Sequence, residues 1–272
     1  MKHIDSHIHL YPKKLMDAIF RYFEKTACNF PYRQDVPESL AYLRESGMEK
    51  GFLLLYAHKA GMARDLNHWA FELCLQNPDL VPFACFHPED PDADALVKEC
   101  LNDWGFAGFK LHFNVQRFSP DDPRFAPVYS QVQEQGKAMV MHIGPFPSPS
   151  DHLGASKLLS VLRSFPRLKV LVAHLGFYDT EKFWRIMDQY PTVYLDTAFI
   201  LGNPMFPDGE KIVAESMKRF PDRILYGSDF PLIRHDVREG LAHIGTLSWD
   251  ENIKKKLLYE NAENFLRNGQ PL

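Results

Sequence analysis

Eight short apolar, β-rich runs alternate with helix-like stretches along the whole chain, and this rhythm limits the possible fold more than any other feature. The runs fall at 3–9, 50–56, 80–86, 106–112, 137–142, 168–174, 192–196 and 223–227. Helical patterns occupy 37–47, 64–76, 92–103, 123–136, 154–164, 179–189, 209–219 and 250–267. Strands separated by helices pair in parallel. Eight such units predict closure into a single α/β domain, a (β/α)8 barrel spanning 1–272, rather than an open doubly wound sheet. The length of 272 residues is close to the ~250 typical of that barrel.

Helix punctuation supports the reading. Pro37 and Glu38 open a helix that Gly47 ends, and Gly136 closes another. Phe165-Pro166, Tyr190-Pro191 and Phe220-Pro221 stop helices just before strands, because proline disfavours helical backbone in the residue before it. Two segments exceed the basic unit. Residues 11–36 contain KKLMDAIFRYFEKTA, with Leu15, Ile19, Tyr22 and Phe23 near helical spacing, which predicts an extra helix inserted after strand one. Residues 144–153 form a Pro- and Ser-rich loop after strand five. Both leave C-terminal strand ends, where barrels of this kind build their active sites.

Almost every run closes on a side chain suited to metal binding or catalysis. His7 and His9 lie in the first, Lys110 and His112 in the fourth, and His142 in the fifth. His174, Asp196 and Asp229 follow in the sixth, the seventh and just after the eighth. Alternate residues share a strand face, so Asp5, His7 and His9 are expected to point inward together. Three ionisable groups facing a barrel interior need a partner, and a divalent ion supplies one. His142 and His174 each precede a glycine by two residues, which predicts a shared geometry at the rim. Asp229 contributes the carboxylate that such a centre requires, as ligand or as base. The set predicts an enzyme built on a metal ion.

HIDSHIH, GFKLH, the two strand-end histidines, YGSDFP and the terminal YENAENFL together resemble the amidohydrolase superfamily. The similarity is to the branch that includes aminocarboxymuconate-semialdehyde and γ-resorcylate decarboxylases, and it runs from residue 3 to residue 266. The resemblance implies that His7, His9, His142 and Asp229 bind one divalent ion, most commonly zinc, with manganese, iron or cobalt also suited to nitrogen and oxygen donors. It implies that His174 acts as acid and base, together with Asp229. In binuclear relatives a strand-four lysine is carboxylated and bridges two ions, so Lys110 has three readings: substrate contact, bridging carbamate or structural group. His112, Arg117 and Arg234 are further substrate-binding candidates, the two arginines as holders of a carboxylate. Asp196 is expected to hydrogen-bond its neighbours. Phe177, Tyr178, Phe183 and Trp184 have two readings, pocket lining and core packing, of which core packing is preferred.

Two activities fit the same residues. The first is hydrolysis of a C–O or C–N bond in a small metabolite by metal-activated water. The second is non-oxidative decarboxylation of an aromatic or unsaturated acid.

Composition narrows the remaining classes. A net charge of −4 provides no basic surface for nucleic acid, and no apolar run has the ~18 residues of a membrane span. The N-terminus carries no apolar leader, and the His pair begins at residue 7, so a cytoplasmic enzyme is expected, working on a small molecule, alone or as a homodimer. Cys28, Cys74, Cys85 and Cys100 lack CxxC spacing and read as reduced thiols.

Overall fold

The eight apolar runs become eight parallel strands, hydrogen-bonded in chain order β1 to β8. The computed structural model describes residues 1–25, 30–144 and 150–267. The strands are β1 (His3–Ile8), β2 (Met48–Leu54), β3 (Leu80–Cys85), β4 (Gly108–His112), β5 (Ala138–His142), β6 (Lys169–Val172), β7 (Val193–Asp196) and β8 (Ile224–Leu225). Closure runs through the segment after β8. Ser6 N–H donates to the Tyr226 carbonyl, His9 N–H to that of Phe230, and Asp229 N–H to that of His7. β8 itself has two residues rather than the expected five, because the chain bends at Gly227. A Cβ there would lie 2.9 Å from the His7 Cβ, so only glycine lets this segment approach β1.

The helices are α1 (Lys13–Glu24), α2 (Val36–Glu45), α3 (Ala63–Gln76), α4 (Ala93–Lys98), α5 (Phe113–Gln116), α6 (Ala126–Glu134), α7 (Ala155–Ser164), α8 (Thr180–Gln189), α9 (Gly209–Arg219), α10 (Val237–Thr246), α11 (Glu251–Lys255) and α12 (Asn261–Arg267). α1 is the expected insertion. α2 begins with a capping box in which Asp35 accepts from Glu38 N–H and Glu38 accepts from Asp35 N–H. Phe165, Tyr190 and Phe220 cap α7, α8 and α9 as their prolines require. α10 was not expected; Gly240 and Gly245 dilute its helical pattern. The expected final helix is α11 and α12, joined by a π turn at Lys256–Glu260. Among the described residues no helix is long and apolar enough to cross a membrane.

Inside the barrel, Ile4, Phe52, Phe83, Val140, Leu171 and Leu225 form a buried cluster against Phe265 of α12. Each such buried side chain stabilises by roughly 1.5–3 kcal/mol. Lys169, first residue of β6, donates from Nζ to the Phe265 carbonyl at 2.8 Å and so ties α12 beneath the barrel. Cys74, Cys85 and Cys100 are free thiols, as expected, and Cys28 lies outside the described residues.

β1 departs from simple alternation. Ile4 belongs to the interior cluster, whereas Ile8 packs in the outer one facing the helices. Two residues of equal parity on opposite faces require an irregularity, and the β1–β2 register slips between Asp5 and Ile8. Asp5 is therefore not grouped with His7 and His9. Its Oδ1 accepts from the backbone N–H of His7 and of Ser228, so it fastens β1 to the segment after β8. Burial pushes its carboxyl pKa up to about 7.

Candidate metal centre

The strand ends bring His7, His9, Lys110, His112, His142, His174 and Asp229 around one cleft. At its floor, Asp229 Oδ1 lies 3.3 Å from His7 Nε2 and 3.2 Å from His9 Nε2. What these atoms can do depends on where the ring protons sit. His7 Nδ1 is 2.8 Å from Asp196 Oδ2, and His9 Nδ1 is 2.8 Å from the Leu54 carbonyl oxygen. A carbonyl only accepts, so His9 carries its proton on Nδ1. The Asp196 carboxylate fixes the same tautomer in His7. Both Nε2 atoms then present lone pairs to the Asp229 oxygen.

Electron-rich atoms facing one another with no proton between them repel, and a cation in the gap removes the repulsion. The nitrogen and oxygen donors fit a divalent ion held by His7, His9 and Asp229. Burial and the Lys110 charge hold the His7 pKa well below its usual range, so its lone pair is free at neutral pH.

The β5 and β6 histidines extend the same logic. His174 Nδ1 lies 2.9 Å from the Ala198 carbonyl oxygen, which places its proton there. His174 Nε2 is 3.1 Å from His142 Nδ1, so neutral His174 accepts from His142. That puts the His142 proton on Nδ1, so Nε2 is the unprotonated nitrogen, as in a ligand. Burial, then the neighbouring His142 and Lys110, lower the His174 pKa well below normal, so it rests as a base. The His142 ring stacks on His112 with centroids 3.8 Å apart. Burial likewise lowers the His112 pKa well below its usual range.

His174 lies past the end of β6 rather than in it. His174, Leu175, Gly176 and Phe177 all have positive φ, at 59°, 52°, 71° and 52°. Left-handed backbone costs non-glycine residues roughly 1–3 kcal/mol each and persists where surroundings over-determine it. Asp196 supplies part of that constraint, because its Oδ1 accepts from His174 N–H at 2.8 Å and from Ala198 N–H at 3.1 Å. Burial raises the Asp196 pKa, while these donors and Lys110 oppose the rise. The shared His-x-Gly pattern has a packing cause. A Cβ on Gly144 would lie 2.7 Å from the Phe177 ring and 3.2 Å from the Gly176 carbonyl oxygen.

Lys110 is fully buried on β4, with Nζ 3.3 Å from His7 Nε2. Burial lowers its pKa, while Asp196 and Asp229 hold it up. The upper wall of the cleft is aromatic: Tyr22, Phe23, Phe30, Tyr56, Phe177 and Phe199. Phe177 is buried in the core and also lines the cleft, Phe183 is core, and Tyr178 is exposed. Arg117 is exposed and faces a neighbouring cavity, and Arg234 is exposed and lines neither. Residues 145–149 of the expected loop after β5 lie outside the described residues.

The amidohydrolase family model matches residues 4–267, and the chain belongs to that family. Its fold is shared by several solved structures. An uncharacterized TIM-barrel protein of Bordetella bronchiseptica has a TM-score of 0.79 at 20% identity, covering 99% of each chain. The 5-carboxyvanillate decarboxylase of Sphingomonas paucimobilis has a TM-score of 0.76 at 16% identity, covering 98% of this chain and 99% of its own. A dihydroxybenzoic acid decarboxylase of Polaromonas sp. JS666, solved with bound manganese and the inhibitor 2-nitroresorcinol, has a TM-score of 0.73 at 19% identity, covering 99% of this chain and 98% of its own.

Proposed function

We propose that the protein is a metal-dependent, non-oxidative decarboxylase of a small aromatic acid bearing a hydroxyl beside its carboxylate. The observation that carries this reading is the cleft itself: six aromatic rings stand over a floor of metal-type donors. A flat, unsaturated acid suits those walls by ring stacking, and its oxygens suit the floor. The shared fold of the carboxyvanillate and dihydroxybenzoate decarboxylases supports this over hydrolysis, the first reading of the sequence.

His7, His9, His142 and Asp229 would hold the ion, which supplies a positive charge for the substrate's oxygens and for the negative charge that builds on them. Asp196 and the Leu54 carbonyl keep the His7 and His9 rings oriented. His174, neutral at rest, takes the hydroxyl proton at Nε2, where the substrate hydroxyl replaces the hydrogen bond from His142 Nδ1. The electron pair left on oxygen moves into the ring. His174 then returns the proton to the carbon bearing the carboxylate. The C–C bond breaks, CO2 leaves, and its electron pair restores the aromatic ring. The product oxygen is reprotonated from solvent, so one proton is consumed per CO2 released. Lys110, buried beside the donors, adds a second positive charge against the carboxylate. The aromatic wall excludes water from the ring carbon.

The test is a screen of protein loaded with manganese or zinc against hydroxybenzoates, esters, lactones and amides, following CO2 and released acid separately. CO2 release from a hydroxybenzoate, lost in His174→Ala, is expected. Acid release from an ester or amide with no CO2 from any hydroxybenzoate would return the protein to the hydrolases.

A further inference from the structure

We propose that the cavity under α1 is a second substrate subsite, which takes an anionic group carried on an apolar arm of the same molecule. This rests on the decarboxylase reading of the neighbouring cleft and adds to it that the substrate is a diacid.

The cavity opens beside the metal-type cleft. Tyr22, Phe23, Tyr56 and Val115 line both spaces, so the two adjoin across these four side chains. The proposed substrate reaches from one space into the other past them.

α1 shapes the new space. It buries Met16 and Phe20 against the barrel and leaves Leu15 and Ile19 facing the cavity, only partly covered. That side is apolar and suits a hydrocarbon or second-ring arm. The opposite side is formed by the turn after β4 and ends at Arg117. Arg117 caps α5 in a left-handed conformation, with φ 62°. It makes no ion pair with any carboxylate among the described residues. No Asp or Glu is among the described residues that line the cavity, and a guanidinium is permanently charged. A space with one apolar side, a guanidinium and no carboxylate selects an anion on an apolar stem. Arg117 lines this cavity and not the cleft that holds His7 and Asp229. The acid it reads is a second one.

The experiment is calorimetric titration of the manganese-loaded protein with salicylate, with a series of salicylates bearing an ω-carboxyalkyl arm of increasing length, and with neutral alkyl salicylates of matched length. One arm length is expected to bind about ten- to hundred-fold more tightly than its neutral counterpart. Arg117→Gln is expected to erase that preference. Ile19→Glu, which sets a like charge on the apolar side, is expected to do the same while the alkyl series still binds. The proposal is overturned if carboxyalkyl and alkyl arms bind alike in the unmodified protein at every length, or if both variants keep the preference. Failure of every salicylate to bind would overturn the reading of the cleft instead, and the subsite with it.

Discussion

Asp196 Oδ2 accepts from His7 Nδ1 at 2.8 Å while its Oδ1 accepts from the backbone N–H of His174 at 2.8 Å. One fully buried carboxylate therefore orients a ring offered to the metal and pins the left-handed turn that presents the proposed acid–base residue. Asp196→Asn keeps the volume but supplies a single acceptor oxygen for these donors. Metal affinity is expected to fall about 10- to 100-fold, as for other second-sphere partners of metal-bound histidine. Chelator competition measures it; unchanged affinity would remove Asp196 from this role.

Lys110 separates one-ion from two-ion chemistry. Its Nζ lies against His7 Nε2, and the donor group His7, His9 and Asp229 does not include it. Lys110→Met is expected to leave metal stoichiometry at about one ion per chain while weakening substrate binding. A fall from two ions to one on mass spectrometry of metal-loaded protein would establish a bridging carbamate.

Gly176 holds the turn at its tightest contact. A Cβ there would lie 2.1 Å from the Phe183 ring, at φ 71°. Overpacking and left-handed strain together put the cost of Gly176→Ala at roughly 2–4 kcal/mol. At about 2–4 °C per kcal/mol for a chain of this size, the melting temperature should drop by roughly 5–15 °C. A drop under about 2 °C would show that the turn relaxes freely.

His3 gives the pH dependence of stability a local source. It is buried, it donates from Nδ1 to the Met1 carbonyl oxygen, and burial lowers its pKa from 6.5 to about 4. Below pH 6.5 the unfolded chain binds a proton that the folded protein refuses. Stability from this site is thus complete above pH 6.5 and declines as pH falls toward about 4, where the decline ends. The loss totals roughly 3 kcal/mol. His3→Gln should flatten that part of the curve in urea unfolding; parallel curves for the two proteins would rule the source out.

The order of strands and the positions of His7, His9, Lys110, His142, His174 and Asp229 were legible because each closes an apolar run, a pattern local in the chain. The slip in β1 was not, since it comes from fastening to residues after β8, more than 200 positions away. The double grip of Asp196 was hidden for the same reason: its carboxylate was visible, its partners on β1 and in the turn after β6 were not. Arg117 and Arg234 looked equivalent in sequence, as loop arginines after strands. Only the packing of α1 beside the turn after β4 gives Arg117 its cavity, which Arg234 does not line.

The direct measurement is anomalous diffraction from a crystal soaked in manganese. One peak is expected at the cleft floor, roughly 2.0–2.3 Å from His7 Nε2, His9 Nε2 and an Asp229 oxygen, with His142 completing the shell. No peak among those side chains, or a pair of peaks joined through Lys110, would contradict the account.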